Sequence, residues 1–107
     1  MAAGGGGVHR ITLSGRLVER GALRHTPAGI PILEAVLEHV STMREAGVDR
    51  SLAFPLPVLL AGGLAEEAAR WPLSREVVAS GFLAPRRRHS RTLVFHVTAF
   101  ERIPNED

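Results

Sequence analysis

The chain has 107 residues, enough for one domain with a single hydrophobic core and too few for two. It contains no cysteine, which excludes disulfide bonds and thiolate metal sites and agrees with a reducing cytoplasm, the compartment we expect. The net charge is +2 and all 13 basic residues are arginine, a balance that by itself indicates no particular ligand. The longest apolar run is shorter than the roughly 20 residues that a membrane-spanning helix needs.

The two ends of the chain differ from the middle. Residues 1–8 are glycine-rich and lack the basic and apolar segments of a secretory signal, so we expect a disordered leader there. Residues 9–103 carry the regular apolar patterns of one folded domain. Residues 104–107 form an acidic tail that we expect to fray.

Three apolar runs in the first half of the chain predict β-strands. The first covers residues 8–19 and contains Gly15, which indicates a bulge or a sharp bend. The second covers residues 32–42 and follows Pro31, since proline is tolerated at the first position of a strand. The third covers residues 51–61. Its Pro55 and Pro57 remove two backbone donors, so we expect an irregular strand or an edge strand.

Polar segments separate these runs. Residues 20–29 contain glycine and proline and predict a loop, and residues 43–50 are polar and predict a hairpin loop. Residues 62–71 are good helix formers and predict a short helix that Pro72 ends.

The last two runs, residues 77–84 and 92–100, predict an antiparallel pair of strands. Strict alternation in the second run places Leu93, Phe95, Val97 and Ala99 on one face. We expect Phe82, Phe95 and Trp71 in the core. The order of three strands, a helix and two strands predicts an all-β protein, a five-stranded OB-fold barrel with a short helix between strands three and four.

The turn between the last two strands is the most strongly charged part of the sequence. It carries Arg86, Arg87, Arg88 and Arg91, and no acidic residue occurs between Val77 and Phe100. Such a cluster is suited to binding the phosphates of a polyanion, with guanidinium groups stacking on bases. The alternative is a solvated turn that only keeps the sheet edge soluble.

Several motifs, in order along the chain, resemble the primosomal replication protein N family. They are Arg-Ile-Thr-Leu-Ser-Gly at 10–15, Gly-Ile-Pro at 29–31, Val-Leu-Glu-His at 36–39, Glu-Ala-Gly at 45–47 and Gly-Phe at 81–82. The resemblance implies a cytoplasmic homodimer of OB-folds that binds single-stranded DNA and is not an enzyme. It also implies contacts with the restart helicase of the primosome and with the protein that helps load the replicative helicase.

In that family, basic side chains and two aromatic rings bind DNA across the sheet face and the loop between strands four and five. The basic positions that carry over, with Arg87 as an extra charge, are Arg86, Arg88, Arg91, Arg50 and Arg24. The two aromatic positions correspond to Val48 and Ala53, which have no ring, and Val40 replaces a basic residue. Phe54 is adjacent, but its side chain is expected on the opposite side of the strand. We therefore expect weak, strongly salt-dependent binding with little sequence preference.

The sequence gives little indication of catalysis or of cofactor or metal binding. No phosphate loop, nucleophile elbow or metal-ligand spacing of histidines occurs, so we expect no catalysis, no cofactor and no metal. Two alternatives to DNA binding remain. One is a protein-interaction adaptor of the primosome with weak or vestigial DNA binding, and the other is an RNA-binding OB-fold.

Overall fold

The structure of the protein is a computed structural model that describes residues 6–102. Most of the predicted leader and all of the predicted tail, residues 1–5 and 104–107, lie outside the described residues. Within the described part, the elements in chain order are β1 Ile11–Arg20, β2 Arg24–His25, β3 Pro31–Glu45, β4 Val48–Ala61, α1 Gly63–Ala69, β5 Glu76–Pro85 and β6 Leu93–Arg102.

The five long strands close into a barrel. The sheet runs in the order β1-β5-β6-β4-β3-β2, and β1 pairs with β3 as well as with β5. All pairings are antiparallel except a short parallel contact between β4 and β6. The two-residue strand β2 extends the sheet beside β3. With α1 between β4 and β5, this is the OB-fold, and the predicted fold class is confirmed.

Barrel closure brings the backbones of β1 and β3 into close contact at Gly15. A Cβ atom at this position would lie 2.7 Å from the carbonyl oxygen of Glu38 and 2.8 Å from Cγ of Leu37. The β-bulge predicted at Gly15 occurs instead between Leu17 and Glu19. Glycine is therefore needed at position 15 for the close approach of two strands and not for a bulge.

A buried histidine ties the same two strands together. Nδ1 of His39 on β3 donates to the carbonyl oxygen of Ser14 on β1, 2.7 Å away, because a carbonyl oxygen can only accept. Nε2 of His39 lies 2.8 Å from the hydroxyl of Ser41. Both ring nitrogens are thus satisfied, as expected for a structural histidine.

The predicted loop at residues 43–50 is wrong. Strand β3 continues to Glu45 and β4 begins at Val48, so only Ala46 and Gly47 form the turn. Their φ angles are 53° and 79°, and two positive φ angles are the requirement of a type I′ hairpin turn. The polar residues pair across the strands, as Arg44 does with Asp49 at 2.8 Å.

The two prolines of β4 lie where the strand has one neighbour. Strand β4 pairs with β3 along its whole length and with β6 only at Val58 and Leu59. Pro55 and Pro57 precede that contact, in a stretch paired on one side among the described residues. The predicted edge position is confirmed, but β4 is continuous and not irregular.

The barrel interior contains two of the three aromatic residues predicted there. Phe95 is completely buried, and Trp71 packs beside the helix residues Ala65 and Ala68. Phe82 is 39% exposed, so its predicted core position is wrong. The inward positions of β5 are taken by Val77, Ala79 and Gly81, and the next residue must point outward.

A bulge also changes the faces of β6. Ser80 pairs with Ala99 and Gly81 pairs with Val97, which leaves Thr98 without a partner. As a result Phe100 points inward and packs against Trp71 with ring centroids 4.7 Å apart. The prediction that Ala99 shares the inner face is wrong, because alternation restarts after the extra residue.

The close approach at Gly15 generates a stability prediction. Gly15→Ala should lower the free energy of unfolding by about 2–3 kcal/mol, the cost of forcing a methyl group into a packed site. The matched control is Gly63→Ala at the start of α1, where an added Cβ meets nothing within 4 Å. The control should be neutral or stabilising by up to about 1 kcal/mol. Urea denaturation at one protein concentration measures both, and equal effects would contradict the role assigned to Gly15.

Candidate nucleic-acid interface

The loop between β5 and β6, residues 86–92, is closed by hydrogen bonds of its own. The Arg86 amide donates to the Thr92 carbonyl at 2.8 Å, and the Ser90 amide donates to the Arg87 carbonyl at 2.9 Å. The Thr92 amide donates to the Ser90 hydroxyl at 3.0 Å. These bonds hold the backbone in one shape while the arginine side chains project from it. We name residues 86–92 the arginine loop.

Three arginines of the loop have no acidic partner among residues 6–102. Arg87, Arg88 and Arg91 are exposed, and each ion pair in that part of the chain involves other arginines. Arg86 differs, because its Nη1 lies 3.8 Å from a carboxylate oxygen of Glu34. At least three positive charges of the loop therefore face water and not a carboxylate of the described chain.

A cleft of about 410 Å³ lies beside the arginine loop. Strands β2, β3, β4 and β6 and the loop all contribute to its walls. The residues that define its chemistry are Arg24, Glu34, Leu59, Arg86, Arg87 and His96. Its lining combines apolar side chains with several charged ones, and both kinds of group occur in ligand sites.

One carboxylate lies among the arginines of the cleft. Glu34 accepts a hydrogen bond from Arg24 at 2.5 Å, and its other oxygen is the one 3.8 Å from Arg86. Both partners are about half exposed, and ion pairs in such surroundings stabilise by at most about 1 kcal/mol. An incoming phosphate can therefore replace Glu34 as the partner of either arginine at small cost.

The six arginines predicted from the sequence fall into three groups. Arg24, Arg86 and Arg87 meet at the cleft, whereas Arg88 and Arg91 lie on the arginine loop outside the cleft lining. Arg50 lies on the β3–β4 hairpin and is paired with Glu45 at 2.6 Å. It is seven residues from Pro57, which lines the cleft, and this spacing along a strand is about 23 Å. The structure does not bring Arg50 to the other five.

The hairpin offers no exposed aromatic ring where the family resemblance places two. Val48 is 62% exposed and Ala53 is also exposed. Phe54 pairs with His39 across the strands, with ring centroids 5.1 Å apart, and so lies on the other face from Ala53. Positions 48 and 53 therefore present apolar side chains without a ring for base stacking, and the ring of Phe54, which is 37% exposed, lies on the other face.

A group of three rings on the outer surface was missed by the sequence interpretation. Phe82 on β5 lies parallel to His96 on β6, with centroids 5.0 Å apart and planes 11° apart. His9 stands edge-on to Phe82 at 6.1 Å, and its Nε2 accepts from the Leu83 amide at 3.0 Å. The sequence signal that could have revealed this group is the alternation along β6, which places His96 on the face opposite to that of Phe95. We name His9, Phe82 and His96 the ring row.

Residues 6–102 contain no group of three histidine, cysteine, aspartate or glutamate side chains able to hold a metal ion. No helix in that range has the length and apolar character to cross a bilayer.

Comparison with known proteins supports the family resemblance seen in the sequence. Residues 9–99 match the model of a family described as "Another single-strand binding protein family". A replication restart protein PriB of Bordetella pertussis is 41% identical over 96 residues, which are 90% of each chain. The PriB of Nitrosomonas europaea is 34% identical over 89 residues, covering 83% of this chain and 82% of the relative.

Solved structures agree with the sequence matches. The priB protein of Ralstonia solanacearum has a TM-score of 0.80 at 35% identity, covering 91% of this chain and 100% of that one. The single-stranded DNA binding protein of Thermus aquaticus has a TM-score of 0.72 at 21% identity, covering 92% of this chain and 52% of that one, and shows the fold alone. The family model and the identities above 30% across most of both chains lead to one conclusion: the chain belongs to the PriB family of replication restart proteins.

Proposed function

We propose that this protein is a non-enzymatic, single-stranded-DNA-binding accessory protein of the replication-restart primosome. The observation that carries the proposal is the arginine loop, whose Arg87, Arg88 and Arg91 have no acidic partner among the described residues. The loop adjoins a cleft on an OB-fold barrel, and the relatives are named as replication restart proteins. Its role would be to stabilise the restart helicase on DNA and to help recruit later primosome components.

The charge distribution favours a phosphate chain as the ligand. Arg24, Arg86 and Arg87 line the cleft, and Arg88 and Arg91 add further positive charge on the adjoining arginine loop. Each phosphate that an arginine neutralises releases counterions, so the free energy of binding is strongly salt-dependent. A row of guanidinium groups without a base-reading pocket also predicts little sequence preference.

The missing aromatics of the hairpin set an upper limit on affinity. A base stacked on an aromatic ring contributes on the order of 1–3 kcal/mol. Because Val48 and Ala53 provide no ring, relatives with two rings there should bind at least about thirtyfold more tightly. We therefore propose that this protein alone binds single-stranded DNA weakly. Its binding should be tighter when the restart helicase is bound to the same DNA.

We propose a homodimer in the cytoplasm as the working form. Large apolar side chains remain exposed on the single chain, and their burial between two copies would stabilise a dimer. They include Ile30, Val40, Met43, Val48 and Leu93. The further partners are the restart helicase and the helicase-loading accessory protein.

A second candidate function is favoured by one specific observation. The hairpin exposes Val40, Met43 and Val48, and the family resemblance places a basic residue at position 40 and a ring at position 48. This apolar surface is better suited to a protein than to a base. The protein would then be a primosome adaptor, with the arginine loop facing an acidic surface of its partner. Anisotropy titrations with labelled oligo-dT and with labelled helicase, across one salt series, separate the two functions. An oligo-U titration identifies an RNA-binding protein.

Charge reversal in the arginine loop tests the proposed function. The double variant Arg87→Glu/Arg88→Glu should bind labelled oligo-dT at least about thirtyfold more weakly at low salt, because two phosphate contacts become repulsive. The slope of log K against log salt should also decrease in size by about 1.4. Fluorescence anisotropy measures both quantities.

The matched control for this variant is Arg16→Glu/Arg70→Glu. It changes the net charge by the same amount, but Arg16 lies on β1 and Arg70 follows α1, both outside the cleft. The control should retain oligo-dT binding within about threefold, since only long-range charge is altered. Equal losses in both double variants would show that total charge matters and the loop does not.

Removal of the cleft carboxylate should strengthen binding. Glu34→Gln releases Arg24 and Arg86 from a competing negative charge, so the affinity for oligo-dT should rise about two- to fivefold at low salt. Glu38→Gln is the control, because Glu38 lies four residues further along β3, is also exposed and makes no ion pair with a described residue. Weaker binding by the Glu34 variant alone would mean that Glu34 positions the arginines for DNA instead of competing with it.

The proposed dimer has its own test. Sedimentation equilibrium should give twice the chain mass at micromolar concentration. Met43→Arg is expected to shift the association only if the hairpin forms part of the interface. A monomer mass that does not change with concentration would rule the dimer out and leave the DNA-binding proposal standing.

A further inference from the structure

We propose that His96, supported by Phe82, is the surface on which one base of single-stranded DNA stacks while the arginine loop holds the adjoining phosphates. The inference rests on the proposed function, because it assigns a further binding residue within the same site. It places a base-stacking ring on β6, and not on the β3–β4 hairpin, where Val48 and Ala53 provide none.

The orientation of His96 is fixed by the sheet beneath it. His96 and Phe82 are directly opposed residues of β6 and β5, and their rings are 5.0 Å apart and 11° from parallel. Because Phe82 covers one face of the imidazole, the part of His96 that borders the cleft is its other face or its edge. A ring held parallel to a neighbour loses little rotamer freedom when a third ring is added.

The position of His96 suits a base whose phosphates bind arginine. His96 lines the same cleft as Arg86 and Arg87, so the ring and the guanidinium groups act on one ligand. Apolar side chains, among them Leu59 and Val94, line the same cleft. Basic groups and an aromatic ring that line one groove are the two components of single-strand binding sites.

The other aromatic rings are less suited to this role. Phe95 and Trp71 are buried in the core, and Phe100 packs against Trp71. Phe54 faces His39 and does not line the cleft. Phe82 is flanked by His96 and His9, so it supports the stacking ring and does not itself replace it.

The test separates stacking from charge by comparing two ligands with the same phosphates. One is a labelled oligo-dT, and the other is a labelled oligomer of equal length made of abasic tetrahydrofuran units. The wild-type protein should bind oligo-dT about tenfold more tightly, the lower part of the range for one stacked base. In His96→Ala this preference should disappear through a tenfold loss on oligo-dT, with abasic binding changed less than twofold.

Further variants make the assignment specific. Phe82→Ala should reduce the preference about threefold or more, because the supporting ring is lost, whereas His96→Phe should keep it, since any aromatic face can stack. His25→Ala is the control, an exposed histidine on β2 outside the cleft lining. It should affect the two ligands equally. A melting temperature for each variant confirms that it is folded. If His96→Ala does not fold, His96→Phe still tests the assignment, because loss of the preference for oligo-dT in that variant would contradict it.

The outcomes are distinguishable from those of the proposed function. If the wild type binds neither oligomer at low salt, the proposed function fails and the stacking site with it. If the wild type binds both oligomers equally, phosphate binding stands and the stacking site is overturned. An equal loss on both oligomers in His96→Ala would likewise overturn it, because His96 would then act on phosphate.

Discussion

The pairing of β1 with two different strands is the constraint on which the rest of the molecule depends. β1 pairs with β5 along one edge and with β3 along the other, and this double contact turns an open sheet into a barrel. At Gly15 the carbonyl of Glu38 comes so near that no side chain fits, and His39 bonds to Ser14 at the same junction. Closure brings the arginine loop, β2 and the β3–β4 sheet face around one cleft, although they are far apart in sequence.

The local arrangement of charged side chains, more than the net charge of the chain, distinguishes the cleft from the rest of the surface. The whole chain carries only +2, and among residues 6–102 four arginines outside the arginine loop are paired with carboxylates. The sequence supplies no acidic residue in the arginine loop, and among residues 6–102 the one carboxylate paired with the loop is that of Glu34, 3.8 Å from Arg86. The positive potential is therefore concentrated at one end of the barrel, where a flexible polyanion can reach several guanidinium groups at once.

Features governed by local chemistry could be predicted from the sequence. The order of the strands, the helix before Pro72 and the exposed arginine loop follow from alternation, helix propensity and turn residues within short windows. Features set by register could not. Phe82 was misplaced because Gly81 takes the inward position, and Ala99 because the bulge at Thr98 restarts the alternation.

In the candidate site too, features set by local sequence could be predicted, and features set by contacts between strands could not. Arg24 and Arg50 were predicted as ligands from their positions, yet each faces a carboxylate that only cross-strand contact brings near, Glu34 and Glu45 respectively. The two-residue turn at Ala46 and Gly47 could not be predicted, because the residues on either side are polar, as in a loop, although they pair across β3 and β4. Alternation along β6 places His96 on the face opposite to Phe95, but only the register of β5 and β6 reveals its contact with Phe82.

The central claim is that clustered guanidinium groups at one end of the barrel hold the phosphates of an unpaired strand. The most direct measurement is the affinity of the wild-type protein for oligo-dT between about 50 mM and 500 mM salt. Three to five neutralised phosphates predict that log K falls linearly against log salt with a slope of about −2 to −3.5. A slope near zero, or tight binding that persists at half-molar salt, would contradict the account.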